Sequence, residues 1–364
     1  MAVCVSGSHT IFMNRSNLKT VAVLSREKKM GVQYDLKKGQ SRNFHELPSG
    51  LSMEVIVQKG AEINKNVEYP PLVFVHGSYH AAWCWAEHWL PFFSSSGYDC
   101  YAVSLLGQGE SDAPGDSVAG TLQFITIGHK IQKADATCTK RTGLLVCALG
   151  ACYEDLFPKL KGAGLVCSVP PSGNSGIVWR YILSKPITAF KVTRSLAAKA
   201  FQTSLPLCKE TFFSATMEDH VVKRFDVLEP FLHEHFHCNF RWKGDTWLVI
   251  VVIRSSQRLR TSLPQSIYTL YQELMKESSR MPLFDLRKLN ASLPVPPVSN
   301  CPFEILVLGA KDDFIVDVEG LKETAKFYGV SPVCIEAVAH DMMLDVAWER
   351  GAEVILSWLN GLEM

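Results

Sequence analysis

The chain has 364 residues, is 47% hydrophobic and carries 37 basic against 36 acidic residues, a net charge of +1. That length accommodates one large α/β domain or two average ones around an ample core. The balanced charge supplies no overall field for nucleic acid or a membrane surface, which leaves a small molecule as the expected partner.

No acidic residue precedes Glu27, while Arg15, Lys19, Arg26, Lys28 and Lys29 alternate with serines and small apolar residues. Acid-poor, serine-bearing basic N-termini are the mark of organelle transit peptides, so residues 1–50 are expected to be a transit peptide and linker. A disordered tail on a cytoplasmic protein is the alternative. Folded structure is expected to start near Leu51.

From there Met53–Gln58 alternates like a strand, and Pro71–Val75 is a short apolar run of the kind buried on both faces. Ala81–Ser95 reads as one aromatic-rich helix stopped by Gly97, and Asp99–Ser104 as the next strand. Strands are then expected over Gly164–Val169, Phe303–Gly309 and Val333–Val338, with helices over Ala189–Phe201, Tyr271–Ser279 and Trp348–Leu362. Strands separated by helical patterns argue for a parallel, doubly wound sheet. The longest apolar run, Trp247–Ile253, is far short of the roughly 20 residues that span a bilayer. Eleven cysteines without a C-x-x-C pair suit free thiols better than a disulfide framework.

Two stretches carry a resemblance. Phe74–Trp85 (FVHGSYHAAWCW) and Ser104–Asp112 (SLLGQGESD) together resemble the N-terminal half of α/β-hydrolases, especially plant esterases related to methylesterases and hydroxynitrile lyases. The second stretch lacks the third glycine of a dinucleotide fingerprint, and its glycines are better explained by a tight turn. The resemblance implies an eight-stranded, mostly parallel sheet with a helical cap over residues 51–364, the cap covering about 177–287. It also implies acyl-ester hydrolysis of a small ester without metal or organic cofactor, and an address in the chloroplast (plastid stroma). By the same resemblance, Ser78, with Tyr79 beside it, supplies oxyanion-hole backbone N–H groups. Asp313, in Ala310–Asp317, is implied as the acid and His340 as the base, with Asp312 as the neighbouring alternative for the acid. The order His-Gly, nucleophile, acid, His is that of the α/β-hydrolase triad.

The nucleophile is missing from this order. An elbow needs small residues two before and two after the nucleophile, and the window from Lys130 to Phe157 contains no serine. Cys147 has Leu145 and Leu149 at those positions, and Cys152 has Glu154. Gly128-His129 is followed by Lys130, which cannot act by proton transfer to His340. Ser175 has Gly173 before it but Ile177 after it, and lies past the following strand. A noncatalytic, ligand-binding form therefore stands beside the hydrolase.

Asp226–Leu270 breaks the helical period of its flanks, and its removal joins HVVKRF to YQELMKESSR as one pattern. Residues 226–270 and 124–153 are thus expected to be products of altered splicing or reading frame. Inside the insert, His233, Glu234, His235, His237 and Cys238 offer metal-ligand atoms, but share a face only if a strand forms there, so a His-rich loop is the plainer reading. Oligomeric state is not legible.

Overall fold

The structure, a computed structural model, describes residues 2–6, 28–47, 49–62, 69–113, 160–214, 267–281 and 303–362. The candidate elements at 124–153, the His-rich loop at 233–238 and most of the 226–270 insert lie outside the described residues.

The strands are β1 (Ala2–Ser6), β2 (Gln40–Glu46), β3 (Ser52–Gln58), β4 (Leu72–Val75), β5 (Cys100–Val103), β6 (Leu160–Val166), β7 (Glu304–Ala310) and β8 (Pro332–Ile335). Among the described residues they form an eight-stranded sheet in the order β2-β3-β5-β4-β1-β6-β7-β8. The pairs β4–β5, β6–β7 and β7–β8 are parallel, whereas β3 runs against β2 and β5, and β1 runs against both β4 and β6. All strands but β3 and β1 therefore point the same way.

The helices are α1 (Trp83–Ala86), α2 (Trp89–Ser95), α3 (Ser175–Ser184), α4 (Pro186–Ala197), α5 (Leu205–Phe212), α6 (Ile267–Ser278), α7 (Val318–Tyr328) and α8 (Trp348–Gly361), with a 3₁₀ turn at Ala200–Gln202. The single helix expected over Ala81–Ser95 is two helices with a break at Glu87–His88. Pro91 is the cause, because it has no N–H to continue the ladder back to Glu87. The Glu87 carbonyl instead accepts from the Lys37 ammonium.

Structure also begins well before Leu51. β2 pairs along the whole of β3, and Met30, Tyr34 and Leu47 are buried in the core. The Arg42 guanidinium donates to Glu54 at 2.7 Å, an ion pair that the alternation of hydrophobic residues does not reveal. More unexpected is β1, whose residues Ala2–Val5 pair with Leu72–Val75 on one side and Gly162–Leu165 on the other. Composition marks this segment as a leader, and the structure places its backbone inside the sheet.

β6 starts at Leu160 rather than Gly164, since Gly162 and Gly164 weaken the strand pattern. At Gly162 a Cβ would lie 2.6 Å from the Trp358 ring of α8, so glycine there permits the helix to approach. Gly109 has φ +52, and a Cβ would meet the Glu54 carboxylate at 2.6 Å. The SLLGQGESD stretch is thus a tight turn over a buried polar cluster.

The main core lies between the sheet and α1, α2 and α8, where Trp83, Trp85, Trp89 and Phe93 are almost completely buried. Each such side chain contributes about 2–3 kcal/mol by leaving water. Cys84, Cys100, Cys167 and Cys208 are buried free thiols and Cys334 an exposed one. Among the described residues no helix is long and apolar enough to cross a membrane.

Candidate active site

The site lies at the C-terminal edge of the parallel strands, where open α/β sheets place their ligands. Four strand ends contribute: β4 through Ser78–His80, β6 through Cys167, β7 through Asp313 and β8 through His340.

Past β7 the chain folds back so that Asp313 is held by its own loop. One carboxylate oxygen accepts the backbone N–H groups of Ile315 and Val316 at 2.7 and 2.9 Å. The other accepts from Nδ1 of His340 at 2.8 Å. Asp313 is buried and Asp312 is exposed, so the neighbouring carboxylate has no part in this contact. Burial pulls the His340 pKa down, but the charge of Asp313 and its hydrogen bond outweigh it and the net shift is upward. With Nδ1 committed to Asp313, Nε2 of the neutral ring is the lone pair that can take a proton.

On β4, His76 is structural. Its Nε2 accepts the Leu105 N–H at 3.0 Å and its Nδ1 faces the Gly77 carbonyl at 2.8 Å. Burial pushes its pKa down to about 3, so it stays neutral. The chain then turns through Ser78 and Tyr79, the latter at φ +67. A bulky residue in the left-handed region costs about 1–3 kcal/mol and is held by its surroundings. Here the Tyr79 hydroxyl donates to the Leu196 carbonyl of α4 at 3.1 Å, and its ring meets Phe201 edge-on at 5.0 Å. The backbone N–H groups of Ser78 and Tyr79 have no acceptor among the described residues, which leaves both donors available.

Three participants carry no obvious sequence signal. His80 faces the Ser78 carbonyl with Nδ1 at 2.9 Å and Asp341 with Nε2 at 3.0 Å. It thereby ties the turn after β4 to the residue next to His340, in a fully buried pair. The other Asp341 oxygen is buried without a partner. Cys167 sits at φ +46 at the end of β6, and its sulfur, an Asp313 oxygen and a His340 nitrogen lie within 4.8 Å of one another. Burial first and then the charge of Asp313 push its thiol well above the ordinary range, against the thiolate that a metal or a nucleophilic role requires. For Cys167 the sequence offers only a position, at the end of a buried strand just before Pro170-Pro171.

Helices α3–α5 close over this edge. The Tyr181 hydroxyl donates to the Asp313 carbonyl at 3.1 Å, and Phe212 faces His340 at 6.5 Å. Ser175 opens α3 at an exposed position. Cys147, Cys152 and Lys130 lie outside the described residues.

The chain is similar in structure to an epoxide hydrolase from Vigna radiata, with 15% identity and TM-score 0.51 over 90% of this chain and 100% of that one. A haloalkane dehalogenase variant from Bradyrhizobium elkanii gives 13% identity and TM-score 0.50 over 89% and 98%. An esterase from a Rhodococcus species gives 16% identity and TM-score 0.44 over 89% and 100%. These identities speak to the fold alone. No curated protein matches the chain at a significant level. Residues 72–354, from β4 into α8, match the alpha/beta hydrolase family, and they include each of the four strand ends that meet at this site. The chain belongs to the alpha/beta hydrolase family.

Proposed function

We propose that this edge of the sheet is the acyl-transfer site of a carboxylic-ester hydrolase acting on a small ester. The observation that carries the reading is the 2.8 Å contact between His340 Nδ1 and the buried Asp313 carboxylate. It fixes the tautomer that leaves Nε2 as a base, and Asp313 stabilises the imidazolium formed when that base takes a proton. Negative charge developing on the ester carbonyl oxygen would be met by the unspent N–H groups of Ser78 and Tyr79. A preorganised donor of this kind is worth about 3–4 kcal/mol.

The reaction also needs an attacking hydroxyl. The absence of serine between Lys130 and Phe157 favours a second reading for this form of the protein, a noncatalytic one that retains the pocket and binds an ester-like ligand. In that reading residues 124–153 and 226–270 are splicing products, and a transcript that restores Gly-x-Ser-x-Gly encodes the active parent. Plastid targeting rests on the composition of the first residues together with the resemblance to plant esterases, and retention of Ala2–Ser6 in the mature protein, read by N-terminal sequencing, would argue against it.

A fluorophosphonate probe marks an activated serine whatever the substrate, and no labelling of this chain is expected. Labelling lost in Ser175→Ala would return the hydrolase reading to this chain, with its nucleophile at the start of α3. The site itself is tested by replacing residues 124–153 with a strand, elbow and helix carrying Gly-x-Ser-x-Gly. Ester hydrolysis that appears and then disappears in His340→Ala supports the proposal, and hydrolysis indifferent to His340 defeats it.

A further inference from the structure

Eight large apolar side chains are exposed among the described residues, and six of them (Val178, Trp179, Ile182, Leu183, Ile187 and Phe190) lie on the α3–α4 hairpin. Single exposed apolar residues are ordinary, whereas a cluster of this size marks a surface that meets something. Trp179 is 63% exposed, Leu183 81%, Ile187 74% and Phe190 68%. The hairpin already has an inner face: Ile177, Tyr181 and Ala189 are buried against Val316. The outward residues are therefore a second apolar face, separate from the packing that holds the hairpin on the fold.

Its charge says what kind of surface would cover it. Between Pro170 and Lys209 the chain has six basic residues (Arg180, Lys185, Lys191, Arg194, Lys199 and Lys209) and no acidic one. The whole-chain balance of +1 conceals this local excess. Arg180 is taken up by Asp317 through two contacts of 2.6 Å, and Lys191 by Glu210 at 2.7 Å. Lys185, Arg194 and Lys199 are exposed and have no ion pair among the described residues. Lys185 is the one-residue junction of the hairpin, so a free cation stands between Leu183 and Ile187 at its tip.

We propose that the α3–α4 hairpin docks the protein peripherally on an anionic lipid surface. Trp179, Leu183, Ile187 and Phe190 enter the headgroup region, while Lys185, Arg194 and Lys199 meet lipid phosphates and carboxylates. Basic residues interleaved with Trp, Phe and Leu are the composition that interfacial helices use. A second copy is a poorer occupant, because a twofold contact at the hairpin tip would set these same cations against their own images: the nearby acids Asp317, Glu319 and Glu323 lie at the Arg180 side and Glu210 is taken up by Lys191. The proposal is independent of the hydrolase reading. The tie from Tyr181 to the Asp313 carbonyl adds that the docked face is attached directly to the acid loop.

The test is co-sedimentation of the full chain with extruded vesicles of phosphatidylcholine alone or with one third phosphatidylglycerol. Binding is expected on the anionic vesicles only, weakening as salt is raised. Each basic residue near such a surface contributes about a fivefold factor, so Lys185→Gln/Arg194→Gln/Lys199→Gln should cost about a hundredfold. Trp179→Ser/Leu183→Ser/Phe190→Ser should abolish binding while leaving thermal unfolding unchanged, because these side chains are exposed. Should the serine variant fail to fold, the glutamine variant still decides the matter through its salt dependence. No binding to anionic vesicles, equal binding to both compositions, or undiminished binding by the glutamine variant would overturn the proposal. Concentration-dependent self-association of the lipid-free chain that vanishes in Leu183→Ser would overturn it in favour of a second copy.

Discussion

The acid–histidine end of the sheet and its middle are built in opposite ways. Around β7 and β8 the chain closes on itself: the strands are parallel and adjacent, Asp313 is held by N–H groups two and three residues on, and His340 follows on the next strand. In the middle, β4 and β6 do not touch each other. β1 lies between them, antiparallel to both, and comes from the first residues of the chain. The first region depends on local loop chemistry and the second on pairing between distant segments. The first should therefore tolerate changes in the second, but the integrity of the sheet should not.

The sharpest way to break this contrast is to delete residues 2–6. That leaves β4 and β6 with unpaired edges in the centre of the sheet. A ladder hydrogen bond contributes about 1 kcal/mol and an unmet buried group costs more, against a total stability of about 5–15 kcal/mol. Loss of cooperative unfolding, or of the soluble chain, is expected by circular dichroism. A truncated chain with an unchanged melting temperature would remove β1 from the fold.

Acid should act on the two regions with opposite sign. His76, at the end of β4, has its pKa pushed down to about 3 by burial, and His88, stacked on Trp348, to about 4. Between those values and 6.5 the unfolded chain binds protons that the folded chain refuses, so their contribution is complete above 6.5 and is lost as pH falls. His340 is raised instead, so its contribution is complete below 6.5 and is lost as pH climbs through its folded value. Amide exchange followed from pH 7 to pH 4.5 should show β4, α1 and α2 losing protection before β7 and β8. The reverse order would contradict these assignments.

Asp313→Asn isolates the local region. Removing the carboxylate removes the charge and the hydrogen bond that raise His340 and leaves the burial that lowers it, so the imidazole pKa should fall. Asp312→Asn, at an exposed position, should leave it in place. Titration of the His340 ring protons by NMR reads both without requiring turnover, and a fall in the Asp312 variant alone would move the acid by one residue.

The same contrast explains what the sequence disclosed. β3, β4, β5 and β7 are short apolar or alternating runs whose period is visible without knowing their partners, and the His-Gly turn and acid loop are dense enough in motif to be located residue by residue. β1 and β2 were hidden because a strand is recognised by its partner as much as by its pattern, and a basic, serine-bearing context resembles a leader whether or not five of its residues pair. α7 is bounded by residues that the sequence displays, Asp317, whose side chain accepts the Gly320 N–H at its start, and Gly329 at φ +70 at its end. His80 and Asp341 meet across 261 positions, and no spacing rule links them. Their pairing is a tertiary fact.

The smallest effect sought lies on β6, which belongs to both regions: Gly162 pairs with Val5 of β1 on one side and Glu304 of β7 on the other. A Cβ there would stand 2.6 Å from the Trp358 ring and 3.2 Å from the Glu304 carbonyl oxygen. The ring belongs to α8 and can yield, whereas the carbonyl is part of the ladder. Gly162→Ala should therefore cost about 1–3 kcal/mol by overpacking, read as a lower melting temperature. If the ring is the main obstacle, adding Trp358→Leu should recover part of that loss, giving a favourable interaction energy in a double-mutant cycle. Additive losses would instead place the strain in the backbone, where it would disturb β1 and β7 alike. Exchange rates on the two strands would then rise together, and the division between the local and the distant halves of the sheet would not hold at β6.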